Sequence, residues 1–232
     1  MPVVLVGLGA EWPAMTKWDD LRWWRDRHGH RSVPLELGKY HDNTWREDVK
    51  TLAEFIDEHM VPSISGRAPG DDVAYLAQHQ LVDQLSDLSS DFVPPEYCQK
   101  SLERINVWMG TAGTITPCHF DTYDNLLGQA RLIDLALDAR ILGVAGFKLV
   151  RIFLEQDTPY MYRTAASCTG RHAQGNFSAV DVENPDFDQF PDFRNATAYD
   201  VVLAPGDFVF IPAKCWHYVR SLTASISMNF WF

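Results

Sequence analysis

Residues 203–222, LAPGDFVFIPAKCWHYVRSL, hold two short apolar segments bounded by turn residues. Pro205-Gly206-Asp207 reads as a tight turn, because Pro presets one backbone angle, Gly tolerates positive φ and Asp bonds its own backbone. Working outward, the same texture recurs on both sides. Residues 105–109 (INVWM), 147–154 (FKLVRIFL), 201–203, 207–211 (DFVFI) and 225–231 (SISMNFW) are segments of strand length rich in Val, Ile, Phe and Trp. Many short strands separated by turn signals indicate an all-β sandwich or barrel of jelly-roll type from about residue 105 onward.

The first half reads differently, as a mainly helical flank. Residues 3–8 (VVLVGL) predict a short buried strand, and 33–37 (VPLEL) a second. Thr16-Lys-Trp-Asp19 reads as the cap of a helix running to about His28. From Trp45 to Met60 the apolar positions Val49, Leu52, Ile56 and Met60 recur at helical spacing, which predicts one amphipathic helix closed by Pro62. A Gly/Ser/Pro/Asp-rich loop at 63–72, a strand at 73–77 and short helical turns at 80–90 follow. One later segment breaks the β texture: 130–142 (ARLIDLALDARIL) has helical spacing at Leu132, Leu135, Ala136, Ala139 and Leu142.

Composition narrows the functional classes. With 232 residues, 46% hydrophobic and 12% aromatic, the chain is ordinary globular material and not a disordered one. No apolar run is long enough to span a membrane. Four cysteines, Cys98, Cys118, Cys168 and Cys215, are too few for a disulfide scaffold and form no CxxC pair, so they read as free thiols of an intracellular protein. The N-terminal stretch has no basic region of the kind that opens a signal peptide. A net charge of −11 argues against direct nucleic-acid binding and is compatible with a basic protein or peptide partner, or simply with solubility.

Of eight histidines, only His119 has an acid two places on, Asp121. On a strand, residues two apart share a face, so the pair can aim at one point. His217, between FVFIP and YVRSL, can join them if distant strands become neighbours. Two histidines and a carboxylate are the facial set of non-haem Fe(II) oxygenases, which leaves metal positions open for a cosubstrate and O2; zinc is the rival. Lys148 has the apolar Val150, Ile152 and Leu154 as its period-two neighbours. It reads either as an anion-binding lysine or as a rim lysine with its stem along the sheet. Arg151, on the opposite face, reads as a solvent residue. His28, His30, His41, His59, His79 and His172 read as surface, loop or packing residues. No GxSxG elbow, P-loop or GxGxxG follows a strand.

Taken together, ITPCHFD (115–121), FKLVRIF (147–153), LAPGDFVFIPAKCWHYVRSL and ISMNFWF (226–232) resemble the JmjC-domain Fe(II)/2-oxoglutarate oxygenases. VAYLAQHQLVDQL (73–85) and VDVENPDFDQFPDF (180–193) resemble one subgroup of that family, from about residue 3 to the C-terminus. The resemblance implies a mainly β fold with flanking α, a double-stranded β-helix (cupin-like jelly roll), as a single catalytic domain over 1–232. Residues 1–100 would form an N-terminal flank and 101–232 the barrel, with an unusual insertion at about 129–143. It implies Fe(II) on His119, Asp121 and His217, and 2-oxoglutarate held by Lys148 with Tyr75, Thr116 and Asn125. It implies a substrate pocket of Glu36, Tyr40, Trp45, Gln78 and Trp108. A glutamate between aromatic walls suits a guanidinium, so arginyl hydroxylation of a protein or peptide is the first expectation. Demethylation of Nε-methyl-lysine by the same chemistry and a non-catalytic scaffold are the alternatives. A nuclear or cytoplasmic location is expected. Two stretches depart from the family, the insertion and a longer loop at 155–179.

Overall fold

The computed structural model describes residues 1–38, 44–65, 73–130, 146–165 and 175–232. Strand β1 (Val3–Leu5) leads into α1 (Ala14–Lys17) and α2 (Leu21–His28). Asp20 caps α2 by accepting from the Arg22 backbone N–H, which satisfies one of the orphan donors of the first turn. The flank continues with β2 (Ser32–Leu37), β3 (Arg46–Thr51), α3 (Leu52–Phe55), a π-turn at Ile56–Met60 and α4 (Val61–Ile64). Then come β4 (Ala74–His79), α5 (Leu81–Gln84) and α6 (Glu96–Gln99). The remaining strands are β5 (Arg104–Gly110), β6 (Ile115–Phe120), β7 (Asn125–Gln129), β8 (Lys148–Phe153), β9 (Tyr199–Leu203), β10 (Phe208–Ile211), β11 (Trp216–Ser221) and β12 (Ser225–Trp231).

They form two antiparallel sheets, an eight-stranded one in the order β1-β10-β7-β12-β5-β4-β2-β3 and a four-stranded one in the order β6-β11-β8-β9. The jelly-roll expectation is met. Period-two alternation assigns most faces, and register irregularities interrupt it where β6 pairs with β11 and where β4 pairs with β5. Along β12, Ile226, Met228 and Phe230 pack with Trp18, Trp24, Leu52 and Phe55 of the helical flank, on the outer face of the large sheet. Trp216 and Tyr218 of β11 pack outward against Val180, Val182 and Phe193. Between the sheets, Leu127, Val150, Ile152, Val209, Ile211 and Val219 close one end of the barrel. Many of its remaining interior positions are polar and buried, among them Asn106, Asn125, Gln129, Lys148, His217, Ser225, Ser227 and Asn229. Such groups are costly to bury unless something satisfies them, so this inner face marks the site.

Two glycines are required by their positions. Gly206 has φ +88 in the turn between β9 and β10, a backbone conformation that favours glycine. A Cβ at Gly110 would lie 2.7 Å from the Tyr75 ring, so the Gly110–Tyr75 register leaves room for the tyrosine to stand over β5.

Several expectations need correction. Residues 46–51 are strand, not the start of a helix, with Val49 exposed at the sheet's edge. The helix starts at Leu52 behind a Thr51/Glu54 capping box, and Pro62 lies in the first turn of α4 instead of ending it. Residues 46–51 (REDVKT) hold one apolar residue, Val49, which sets no period of its own, and pairing with β2 decides for the strand. The first half is therefore mixed, since β1 to β4 extend the large sheet. Strand β1 is an exposed edge strand and not a buried one. His28 is buried against Trp23 and Trp24, where the surface was expected. Arg151 is not a free solvent residue but pairs with Asp200 at 2.7 Å. The helical reading of the insertion falls largely on 131–145, outside the described residues.

Candidate metal centre and cosubstrate cavity

His119 lies near the end of β6, Asp121 just beyond it, and His217 in β11, where His217 and His119 are register partners. Their rings are 4.3 Å apart between centroids. Asp121 Oδ2 is 3.9 Å from His119 Nε2 and 3.6 Å from His217 Nε2. The three ligand atoms all lie within 4.8 Å of one another. Each Nδ1 faces a backbone carbonyl: His119 that of Pro117 at 2.8 Å, His217 that of Cys215 at 3.1 Å. A carbonyl only accepts, so each Nδ1 carries the proton and each Nε2 keeps its lone pair toward Asp121. Burial, reinforced by neighbouring His119, pushes His217 down to about 4 and keeps it neutral near pH 7. Two imidazoles and a carboxylate facing one point fit a divalent cation that prefers mixed N/O donors.

Local backbone chemistry fixes this geometry. Pro117 removes a donor from β6, an edge strand of the small sheet, where the loss is tolerated. The turn before β11 is docked on the turn after β6, because Lys214 N donates to Asp121 O and Ala213 N donates to Asp124 Oδ1, both at 2.7 Å. Lys214 adopts φ +64 there. Phe177 stacks on the His119 ring at 5.4 Å.

The triad lines one cavity with Tyr75, Gln78, Trp108, Thr116, Asn125 and Lys148. Lys148 is 1% exposed. Its Nζ donates to Ser227 Oγ at 2.7 Å and contacts Tyr75 OH at 3.3 Å, and among the described residues no carboxylate pairs with it. Burial pushes this ammonium down to about 7. The rim-lysine alternative is thereby excluded. A buried cation cradled by hydroxyls at the far end of a cavity from a metal-type triad fits a dicarboxylate.

A family model described as "Cupin-like domain" matches residues 1–232. The chain belongs to the cupin-like JmjC family. Its members are oxygenases of the Fe(II)/2-oxoglutarate type. The chain is 36% identical over 237 residues to "Lysine-specific demethylase JMJ30" of Arabidopsis thaliana, covering all of this chain and 49% of that protein. It is 38% identical over 239 residues to "Lysine-specific demethylase 8" of Danio rerio, covering all of this chain and 53% of the relative. To "Jumonji C domain-containing protein 5" of Drosophila melanogaster it is 31% identical over 241 residues, again over all of this chain and 54% of the relative. This JmjC chain thus spans about half the length of the curated relatives it matches.

The residues expected to meet substrate are divided. Gln78 and Trp108 line the same cavity as the triad. Gln78 has φ +47 at a register irregularity between Leu76 and His79, a conformation that bends the strand there. Glu36 is buried on β2 opposite Tyr75 and lines a neighbouring groove with Glu47, Asp48 and Val49. Trp45 is half-buried just before β3, and neither it nor Glu36 lines the triad's cavity. Tyr40 lies outside the described residues. Sequence reasoning missed Asn229, Trp231 and Ser227, although their period-two alternation with Ile226, Met228 and Phe230 could have disclosed them. Cys98, Cys118 and Cys215 are buried free thiols. Cys168 lies outside the described residues, and among those described no helix is long and apolar enough to cross a membrane.

Proposed function

We propose that this chain is the catalytic unit of an Fe(II)- and 2-oxoglutarate-dependent protein hydroxylase, spanning 1–232, with arginine as the preferred target. The observation that carries the reading is the convergence of His119, Asp121 and His217 at one end of a cavity whose other end holds the buried Lys148. Bound there, the metal and 2-oxoglutarate would supply oxidative decarboxylation to succinate and CO2, with delivery of one oxygen atom from O2 to a substrate C–H bond. The protein's share is placement. His119, Asp121 and His217 hold the cation, Lys148 with Tyr75 and Thr116 takes the distal carboxylate, and Asn125 lies alongside. Trp108 and Gln78 form the substrate's side of the cavity, and Glu36 and Trp45 its approach.

A guanidinium is satisfied by a carboxylate and an aromatic face, and buried Glu36, the register partner of Tyr75, supports that choice over a methylammonium. The competing reading, removal of a methyl group from lysine, is supported by the printed names of the Arabidopsis and Danio relatives. The net charge of −11 accords with a basic peptide in either case. An intracellular protein, nuclear or cytoplasmic, follows from the same reading. Mass spectrometry of arginine and methyl-lysine peptides, incubated with protein, Fe(II), 2-oxoglutarate and O2, separates the possibilities. A retained gain of one oxygen on arginine is the expected result. Loss of a methyl from lysine replaces it with the demethylase, and no product with 2-oxoglutarate unconsumed leaves a scaffold.

The Lys148 environment adds a pH prediction. In the ligand-free fold Lys148 loses its proton near pH 7, against an ordinary 10.5. Between those values the unfolded chain holds more protons than the folded one. This group therefore makes the free protein more stable as pH rises from about 7 to 10, and its penalty is fully present below about 7. A carboxylate bound against Nζ restores the charged form. At pH 8, binding of 2-oxoglutarate to the Mn(II)-loaded protein should thus take up close to one proton. Binding heats in Tris and in phosphate should differ accordingly, and equal heats would contradict this role for Lys148.

A further inference from the structure

Asn229 sits inside the barrel between two groups that the reading above assigns to different ligands. It is 1% exposed. The Trp108 indole Nε1–H donates to Asn229 Oδ1 at 2.8 Å, and Asn229 Nδ2 donates to Asn125 Oδ1 at 3.2 Å. The polarity of this chain is forced. An indole N–H can only donate, so Asn229 must turn its oxygen to Trp108. Its NH2 then faces Asn125, and Asn125 must answer with its own oxygen. What Asn125 has left for the cavity it lines is its Nδ2, a pair of N–H donors. A carboxamide free to flip would offer either end.

We propose that Asn229 is a positioning residue, which locks the Asn125 carboxamide with its N–H donors facing an anionic cosubstrate and ties that orientation to the Trp108 wall on the substrate side. The inference rests on the 2-oxoglutarate reading of the cavity and deepens it. Register supports it. Asn229 is flanked on β5 and β7 by Asn106 and Leu127, which places Trp108 and Asn125 as its diagonal neighbours on the same inner face. The lock costs no rearrangement on binding, because all three groups are already fixed by sheet pairing.

Asn229→Asp inverts the lock. The carboxylate accepts from Trp108 and also from Asn125, which must then flip and present its oxygen to the cavity. Asn229→Leu merely removes the lock and leaves Asn125 free to choose. Titration of 2-oxoglutarate into the Mn(II)-loaded protein reads both, with thermal unfolding as the check that each variant is folded. Asn229→Asp should weaken 2-oxoglutarate by more than about tenfold, and Asn229→Leu by about two- to threefold. Both losses should vanish in an Asn125→Ala background, because the effect passes through Asn125. Wild-type-like affinity in Asn229→Asp overturns the inference, as does a loss that persists without Asn125. If Asn229→Asp does not fold, the Asn229→Leu cycle decides alone by the same criterion. Absence of any heat from the wild-type protein would instead overturn the 2-oxoglutarate reading itself.

Discussion

Replacement of His119 by alanine abolishes turnover and weakens Mn(II) binding by at least about a hundredfold, while the protein stays folded. The imidazole contributes one of only three converging ligand atoms, and no neighbouring group can substitute for it, since Phe177 on its other side is apolar. Its Nδ1–H bond to the Pro117 carbonyl fixes Nε2 toward Asp121, so the lone pair is aimed before any cation arrives. Stability should change little. His119 is only partly buried, between the rings of Phe177 and His217, and its removal leaves no fully buried charge uncompensated. The check is calorimetric Mn(II) titration beside a thermal melt and an assay for succinate formation. Iron-dependent turnover retained in His119→Ala would remove the metal-centre assignment.

Lys148→Met should produce effects of opposite sign in the free and the loaded protein. In the absence of ligand the ammonium is buried among hydroxyls, with no carboxylate beside it among the described residues, an arrangement that burial already penalises. Methionine has a similar length and no charge to desolvate, so the ligand-free variant should melt at least as high as the parent. Toward 2-oxoglutarate the same change removes the only buried cation among the described residues lining the cavity. A buried pair broken on one side costs about 3–5 kcal/mol, so affinity should fall by at least about a hundredfold. A variant that binds normally would place the distal carboxylate elsewhere. One that unfolds would show Lys148 to be a structural residue and not a ligand-binding one.

The legibility of this protein follows the range of the physics involved. Strands β4, β5, β8, β10 and β12 could be read from apolar runs and turn residues, because those signals are local. The 46–51 strand could not be, since its one apolar residue, Val49, sets no period and only pairing with β2 resolves it. Among the site residues, His119 and Asp121 announced themselves by a spacing of two, and His217 by its flanking strands. Lys148 stays open on pattern alone, the family resemblance points it to the cosubstrate, and its burial excludes the rim alternative. Asn229 gave no chemical signal of its own, because an asparagine in a strand acquires meaning only from what faces it.

The sequence by itself determined the jelly-roll texture, the metal-type triad and membership in the JmjC family, all through short-range patterns and long motifs. Tertiary structure alone decided that Lys148 is buried with no carboxylate partner among the described residues, that neither Glu36 nor Trp45 lines the triad's cavity, and that Trp108, Asn229 and Asn125 form one polarised chain. The reason is that burial and hydrogen-bond polarity depend on groups far apart in the chain, 121 residues between Trp108 and Asn229 and 104 between Asn229 and Asn125, which only sheet pairing brings face to face.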